Sequence, residues 1–210
     1  MSIRPVVVAG LLVLPAMLIA QAPARVIEDG ALDRIELFVT ALDTPSSAVV
    51  AMTSFDPSAT DLGTGSKDGK QTRQEEAKTM QAEGPRVLAE RFAASLKASG
   101  AFKDVVTVAA GETPPAGALV LSGRFLTLDP GSRAKRYFAG FGAGKSSVKV
   151  AGEVKDATGK TLATFEQRRI GSMGMGGGDS LGKLMSDSRS IGEDLAKFMA
   201  RWAKGENLKE

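Results

Sequence analysis

Apolar and polar positions alternate along much of the chain, and this pattern predicts β-strands. The alternation is clear over residues 35–41, and a second apolar stretch covers 48–55. Four further runs of the same kind lie at 105–109, 118–128, 148–155 and 161–170. Successive side chains of a strand point to opposite faces, so alternation indicates a strand that buries one face only.

Two other segments show the spacing of amphipathic helices, in which apolar residues recur every three or four positions. The first starts at Pro85, which a first helical turn tolerates, and stops before Gly100. It runs for about four turns, and its apolar row is Leu88, Phe92 and Leu96. The second closes the chain, and its apolar row is Ile191, Leu195, Phe198 and Trp202. Residues 56–70 are polar and rich in glycine, so we predict a mobile loop there.

The order of these elements predicts the fold class. Strands come first, then a helix, four more strands and a last helix, and the connections in the second half are short enough for hairpins. The turn at 156–159 joins the best pair of strands. We therefore expect a single α+β domain at 25–210, with a mostly antiparallel sheet and two main helices packed on one face.

The first residues have the layout of a signal peptide. Arg4 precedes an apolar run at 6–20 that is too short for the roughly 20 residues of a membrane-spanning helix. Ala22 and Ala24 then form the small-residue pattern that a signal peptidase accepts. We predict a signal peptide at 1–24 with cleavage after Ala24, while cleavage after Ala20 or Ala22, or an uncleaved anchor, remains an alternative.

Composition narrows the possible functions. The chain has no cysteine, so disulfides and an acylated N-terminal cysteine are excluded, and we expect a periplasmic or secreted protein without a lipid anchor. It also has no histidine, which removes the commonest general base and metal ligand. We expect no cofactor and no metal. The 27 basic residues nearly balance the 24 acidic ones, so nucleic acid is not an expected partner.

Residues 139–146 read AGFGAGKS, a permissive form of the phosphate-binding loop. That loop requires a helix after its lysine, because the helix N-terminus and the backbone N–H groups hold the phosphates. Here the residues after Lys145 alternate like a strand. We therefore predict that the chain does not bind nucleotides.

Two Ser-x-x-Lys pairs leave an enzymatic alternative open. They are Ser132 with Lys135 and Ser180 with Lys183, and such a pair activates the serine of penicillin-recognising enzymes. The other motifs of those enzymes are missing. A serine/lysine hydrolase using Ser132 or Ser180 is thus the second hypothesis, and Asp187 and Glu193 are expected on a solvated helix face.

A basic, glycine-rich segment at 130–149 is the strongest candidate site. Its glycines allow close approach to a partner, and its cations would attract anionic groups. We predict that a partner contacts Arg133, Lys135, Arg136, Tyr137, Phe141, Gly142 and Lys145. The competing interpretation is a structural crossing between two strands, whose charges only keep a sheet edge soluble.

Three motifs resemble a known family. They are PGSR with GFGAGK in the basic segment, DATGK at 156–160 and SIGEDLAKFMARW at 190–202. Together they resemble the DUF4410 family of Gram-negative envelope proteins, over residues 48–202. Many members of that family look like lipoproteins, and the resemblance implies no activity.

The first functional hypothesis is therefore a non-catalytic, exported envelope protein that binds an anionic or protein partner through residues 130–149. A third hypothesis is an accessory subunit of an envelope complex. Its interface would be the helix face of Leu88, Phe92 and Leu96, or an edge of the sheet.

Overall fold

The computed structural model describes residues 22–63, 70–131, 145–171 and 180–209. Its elements in chain order are β1 (Arg25–Glu28), β2 (Arg34–Leu37), a 3-10 turn (Pro45–Ser47), β3 (Val49–Thr53), α1 (Lys70–Ser99), β4 (Asp104–Val108), β5 (Leu119–Asp129), β6 (Ser146–Lys155), β7 (Thr161–Gly171) and α2 (Ser180–Ala203). Neither helix in this part of the chain has the length and apolarity needed to span a bilayer. Residues 1–21 lie outside the described part, so the signal peptide stays a prediction.

All seven strands form one sheet in the order β1-β2-β7-β6-β5-β3-β4. The neighbours from β1 to β5 pair antiparallel, whereas β3 is parallel to both β4 and β5. Both helices pack on the same face of the sheet and against each other. The prediction of an α+β fold with a mostly antiparallel sheet and two helices on one face is confirmed.

The two helices run parallel to each other. Each helix runs antiparallel to the strand beneath it: Lys97 at the end of α1 pairs with Asp104, and α2 follows β7 from Gly171 back toward its middle. The helices meet at Gly192. A Cβ there would lie 2.6 Å from the Leu88 carbonyl oxygen, so only glycine allows the two backbones this close.

The centre of the core is a row of aromatic rings above two glycines. The row consists of Phe125, Phe55, Phe165, Phe198 and Trp202, with neighbouring ring centroids 5.5 to 6.5 Å apart. Gly123 and Gly152 face each other across β5 and β6. A Cβ on Gly123 would lie 2.6 Å from the Phe55 ring, and one on Gly152 would lie 2.5 Å from the Phe165 ring. The two rings therefore occupy the space that side chains at Gly123 and Gly152 would fill.

The first helix is much longer than its sequence pattern predicts. α1 begins at Lys70, and Pro85 lies inside it rather than in its first turn. The proline removes the N–H that would bond to the Gln81 carbonyl. Packing outweighs this loss, because Ala77 and Met80 are buried before the proline just as Leu88 is after it.

Two strand predictions also need correction. The strand expected at 35–41 ends at Leu37, and β1 at Arg25–Glu28 was not predicted. Only Ile27 is buried in β1. A four-residue edge strand with one buried position has no period to detect, so its partner β2 defines it.

The segment that follows β3 is attached to the sheet. The backbone of Asp56 bonds to Gly123 and Phe125, and the backbone of Asp61 bonds to Leu126 and Leu128, at 2.8 to 3.1 Å. Residues 56–63 of the predicted loop therefore continue along β5. Lys70 already belongs to α1, and residues 64–69 lie outside the described part of the chain.

We expect Gly152→Ala to destabilise the fold by about 2 kcal/mol, because the added methyl would collide with the Phe165 ring and the Ser122 carbonyl oxygen. Ala151→Val is the matched control on the same strand. Its side chain lies on the uncovered face, so its effect should stay within about 0.5 kcal/mol. Urea unfolding measures both free energies. Equal losses would contradict the role assigned to the glycine.

Candidate functional site

Most of the predicted partner-binding residues lie outside the described part of the structure, in 132–144. They are Arg133, Lys135, Arg136, Tyr137, Phe141 and Gly142. The seventh, Lys145, is described and exposed, directly before β6. The structure therefore fixes the two ends of the candidate segment and what surrounds them.

Both ends of the segment lie at the same place. Asp129 and Ser147 are paired neighbours in β5 and β6. The segment leaves β5 through a tight turn, in which the Gly131 N–H donates to Asp129 Oδ1 at 2.7 Å and Gly131 has a φ of 78°. Adjacent antiparallel strands need only two to five connecting residues. The segment is much longer than the connection that β5 and β6 need. This argues against the interpretation that the segment only crosses from one strand to the other.

Other connections meet at this end of the sheet, which we call the loop end. Ser146 pairs with Gly171, so the connection from β7 to α2 starts beside the start of β6. A Cβ on Gly63 would lie 2.5 Å from the Asp129 carboxyl, so the residues that precede α1 also reach this end. α1 and α2 both begin here, and helix N-termini carry positive partial charge.

A buried polar cluster lies beneath the loop end. Ser146 is fully buried, and Asp187 is 4% exposed. Lys183 Nζ donates to Asp187 Oδ1 at 2.6 Å, one turn along α2. A Cβ on Gly171 would collide with Ser146 Oγ and lie 2.8 Å from Lys183 Cε, so serine and lysine approach each other over the glycine.

Three buried polar atoms in this region have no hydrogen-bond partner among the described residues. They are Ser146 Oγ, Asp187 Oδ2 and Ser188 Oγ. Leaving such an atom unsatisfied costs about 1 to 3 kcal/mol. Asp187 was predicted on a solvated face, and that prediction is wrong: the carboxylate is buried because Lys183 compensates its charge.

A second carboxylate ties α2 to the sheet. Asp194 Oδ2 accepts hydrogen bonds from Gln167 Nε2 at 2.8 Å and from Arg169 Nε at 3.0 Å. Gln167 Oε1 in turn accepts from the Asp33 N–H at 2.9 Å. Asp33 Oδ2 accepts from the Arg168 N–H at 2.7 Å. One network thus fixes the position of α2, β7 and the turn between β1 and β2.

Sequence reasoning missed this network, although a signal was present. Asp187 and Asp194 share a helix face with Ile191 and Phe198, at spacings of three and four residues. An acid within an apolar row is a buried acid that requires a partner. Glu193, one position away from that row, does lie at the surface and pairs with Arg91.

The sequence motifs for catalysis and nucleotide binding can be compared with this geometry. A strand, β6, follows Lys145, so the prediction that a helix does not follow it is confirmed. Ser132 lies outside the described residues, and Ser180 is the first residue of α2. Lys183 is held by Asp187, whereas a lysine that activates a serine must be neutral.

The proposed interface on α1 is contradicted. Leu88, Phe92 and Leu96 are at most 1% exposed, because they fill the core between α1, α2 and the sheet. They are not available to a partner, and that form of the accessory-subunit hypothesis is wrong. Among the described residues, no group of three acidic side chains is placed to hold a metal ion.

We expect Asp194→Ala to lower the free energy of unfolding by about 1 to 3 kcal/mol, because it leaves Gln167 and Arg169 without their shared acceptor. Glu193→Ala is the adjacent control. It breaks the exposed pair with Arg91 and should cost less than about 1 kcal/mol. Chemical denaturation of both variants tests this, and a larger loss for Glu193→Ala would show that the network is unimportant.

Comparison with solved structures gives distant likenesses. A PelC dodecamer from Paraburkholderia phytofirmans in space group P6 is 15% identical, with a TM-score of 0.42, over 77% of this chain and 96% of that chain. A point variant of that dodecamer, in space group C2, is 19% identical, with a TM-score of 0.37, over 74% of this chain and 93% of that one. No curated protein matches the chain.

Comparison with protein families gives a direct match. The profile of a domain of unknown function, DUF4410, matches residues 49–175, which is more than half of the 210-residue chain. The matched range holds β3, α1 and β4 to β7, and it includes the basic glycine-rich segment. The resemblance inferred from the sequence motifs is confirmed: the chain belongs to the DUF4410 family.

Proposed function

We propose that this chain is a non-catalytic, exported envelope protein that binds an anionic or protein partner through the segment at 130–149. The observation that carries the proposal is the pairing of Asp129 with Ser147. A connection between paired residues has no structural distance to span. Connections this long in compact domains are usually functional or disordered.

The surroundings of the segment favour an anionic group. Lys145 is exposed at its end, and the positive ends of α1 and α2 lie at the same end of the sheet. The segment itself adds Arg133, Lys135 and Arg136. Arginine and lysine make their strongest hydrogen bonds to charged acceptors, so phosphate, sulfate or carboxylate groups are the chemistry that they recognise.

A binding role also suits the rest of the chain. There is no histidine or cysteine to act as base or nucleophile, and Lys183 is engaged by Asp187. The serine/lysine hydrolase is therefore the weaker alternative. An edge of the sheet, β1 or β4, remains the interface of an accessory subunit in the third hypothesis.

Export is proposed from the N-terminal sequence, and we expect the mature protein to begin near Arg25. β1 begins at that residue, so cleavage after Ala24 keeps every strand. N-terminal sequencing of the protein from a periplasmic fraction measures the new terminus. Recovery of the full-length chain in the membrane pellet would contradict both cleavage and release.

The binding proposal predicts that function and stability separate. A photo-crosslinking residue at Tyr137 should capture a partner in the envelope, whereas one at Ala157, in the exposed turn after β6, should not. Arg133→Ala and Arg136→Ala should each weaken binding by about 1 to 3 kcal/mol through a lost charge-assisted hydrogen bond. Because the proposal assigns these charges to the partner rather than to the fold, the melting temperatures of both variants should stay close to that of the native chain.

Lys160→Ala is the matched charge control, since Lys160 is exposed in the turn at the opposite end of the sheet. A variant in which Asn-Gly replaces residues 131–145 provides a second test. It should fold, because β5 and β6 can be joined by a two-residue turn, and it should lose the partner. If it retains the partner, the segment is not the binding site.

A further inference from the structure

A depression of about 340 Å³ lies at the end of the sheet opposite the loop end. The residues after β2, the start of β5 and the turn between β6 and β7 surround it. Its larger apolar lining residues, which we call its floor, are Val39, Leu42, Leu119 and Leu162. Val39, Leu42 and Leu119 pack against the main core but remain partly exposed, so the floor is apolar surface in contact with water. Its volume is within the range of small-molecule sites.

The charged side chains that line the depression have one sign. Asp43 and Asp156 line it, and no basic side chain does so among the described residues. The Asp43 carboxylate accepts no hydrogen bond from any residue that the structure describes. Asp156 Oδ1 accepts hydrogen bonds from the Thr158 hydroxyl and from the N–H groups of Thr158 and Lys160.

These bonds engage one oxygen of Asp156. The hydrogen bond from the Thr158 hydroxyl is the largest cause that lowers the pKa of the Asp156 carboxyl below its ordinary value. The Thr158 N–H, the Lys160 N–H and the charge of Lys160 lower this pKa further, each by less than the one before. The second oxygen of Asp156 has no donor among the described residues. A cation seated on the apolar floor would find acceptors that the fold leaves available.

The backbone at the rim is also unusual. Thr44 has φ 41° and ψ 54°, a left-handed conformation that is strained for a β-branched residue. The turn that follows holds it there, since Ser47 Oγ and the Ser47 N–H both donate to the Thr44 carbonyl oxygen. Asp43 and Ser47 lie on either side of this turn segment, and both line the depression while staying exposed.

We propose that this depression binds a small organic cation: a primary amine or guanidine attached to an apolar body. The apolar body covers the floor of Val39, Leu42, Leu119 and Leu162, and the cation lies between Asp43 and Asp156. The site is separate from the segment at 130–149, and neither proposal depends on the other.

The test compares three probes of the same shape, using the chain that lacks residues 1–24. 4-Phenylbutylamine, 4-phenylbutanol and 4-phenylbutyrate share one apolar body and differ in head-group charge. Titrations followed by amide chemical shifts should show saturable binding of the amine, with shifts confined to residues 39–48, 117–119 and 156–162. The alcohol should bind at least fivefold more weakly, and the carboxylate should not saturate.

Two variants remove the groups that carry the inference. Asp43→Asn combined with Asp156→Asn keeps the turn acceptors and removes both charges, so the affinity for the amine should fall at least tenfold. Asp56→Asn is the matched control, because Asp56 is a turn carboxylate of the same kind next to β5, away from the depression. Ala157→Phe should fill the depression and block the amine, whereas Ala110→Phe, at another exposed turn, should not.

Several outcomes would overturn the proposal. Equal binding of the amine and the carboxylate would show that the acids do not select the ligand. Shifts spread over the whole surface, or unchanged affinity in the double variant or in Ala157→Phe, would show that the amine does not bind in the depression. The result expected instead is that the double variant loses amine binding but keeps crosslinking at Tyr137, because the two sites are independent.

Discussion

Close contact between rings and backbone at Gly123 and Gly152 is the constraint on which the rest of the structure depends. The two glycines lie opposite each other in neighbouring strands, and Phe55 and Phe165 lie directly on them. Larger residues there would lift the aromatic row from the sheet. Phe198 and Trp202 belong to that row, so α2 would lift with it. The distance between the helices and the sheet therefore depends on glycine at both positions.

A glycine also allows close backbone contact between the two helices. Gly192 brings α2 against the backbone of α1, and the position of α2 is then fixed along β7 by Asp194. Apolar contacts tolerate sliding, whereas a carboxylate shared by Gln167 and Arg169 has one good position. Packing thus sets the depth of the helices, and the polar network sets their register.

The sequence predicted the fold class because the information was periodic and local. The strands β5, β6 and β7 have long alternating runs, and α2 has a clear apolar row. The first half of α1 was missed because Pro85 is a strong local signal, and only the tertiary burial of Ala77 and Met80 overrides it. β1 was missed because a short edge strand is defined by its neighbour rather than by its own residues.

Candidate sites could be predicted from the sequence only where their residues are contiguous along the chain. The basic segment could be found because it is contiguous in sequence, and the structure added that its ends are paired residues. The polar cluster and the Asp194 network join residues from β6, β7 and α2 that have no shared motif. The depression near Asp156 is also assembled from distant segments. Sites of this kind arise from topology, which the local pattern does not encode.

The place of β1 and β2 in the sheet has a consequence for the order of folding. β2 pairs with β7, so Arg34 meets Glu166 across most of the chain length. Loop closure over such a separation is slow, whereas β5, β6, β7 and α2 are consecutive and can assemble locally. We expect the N-terminal hairpin to join last. Until it does, the edge of β7 is uncovered and can pair with other chains, so slow closure of the hairpin exposes the folding chain to aggregation.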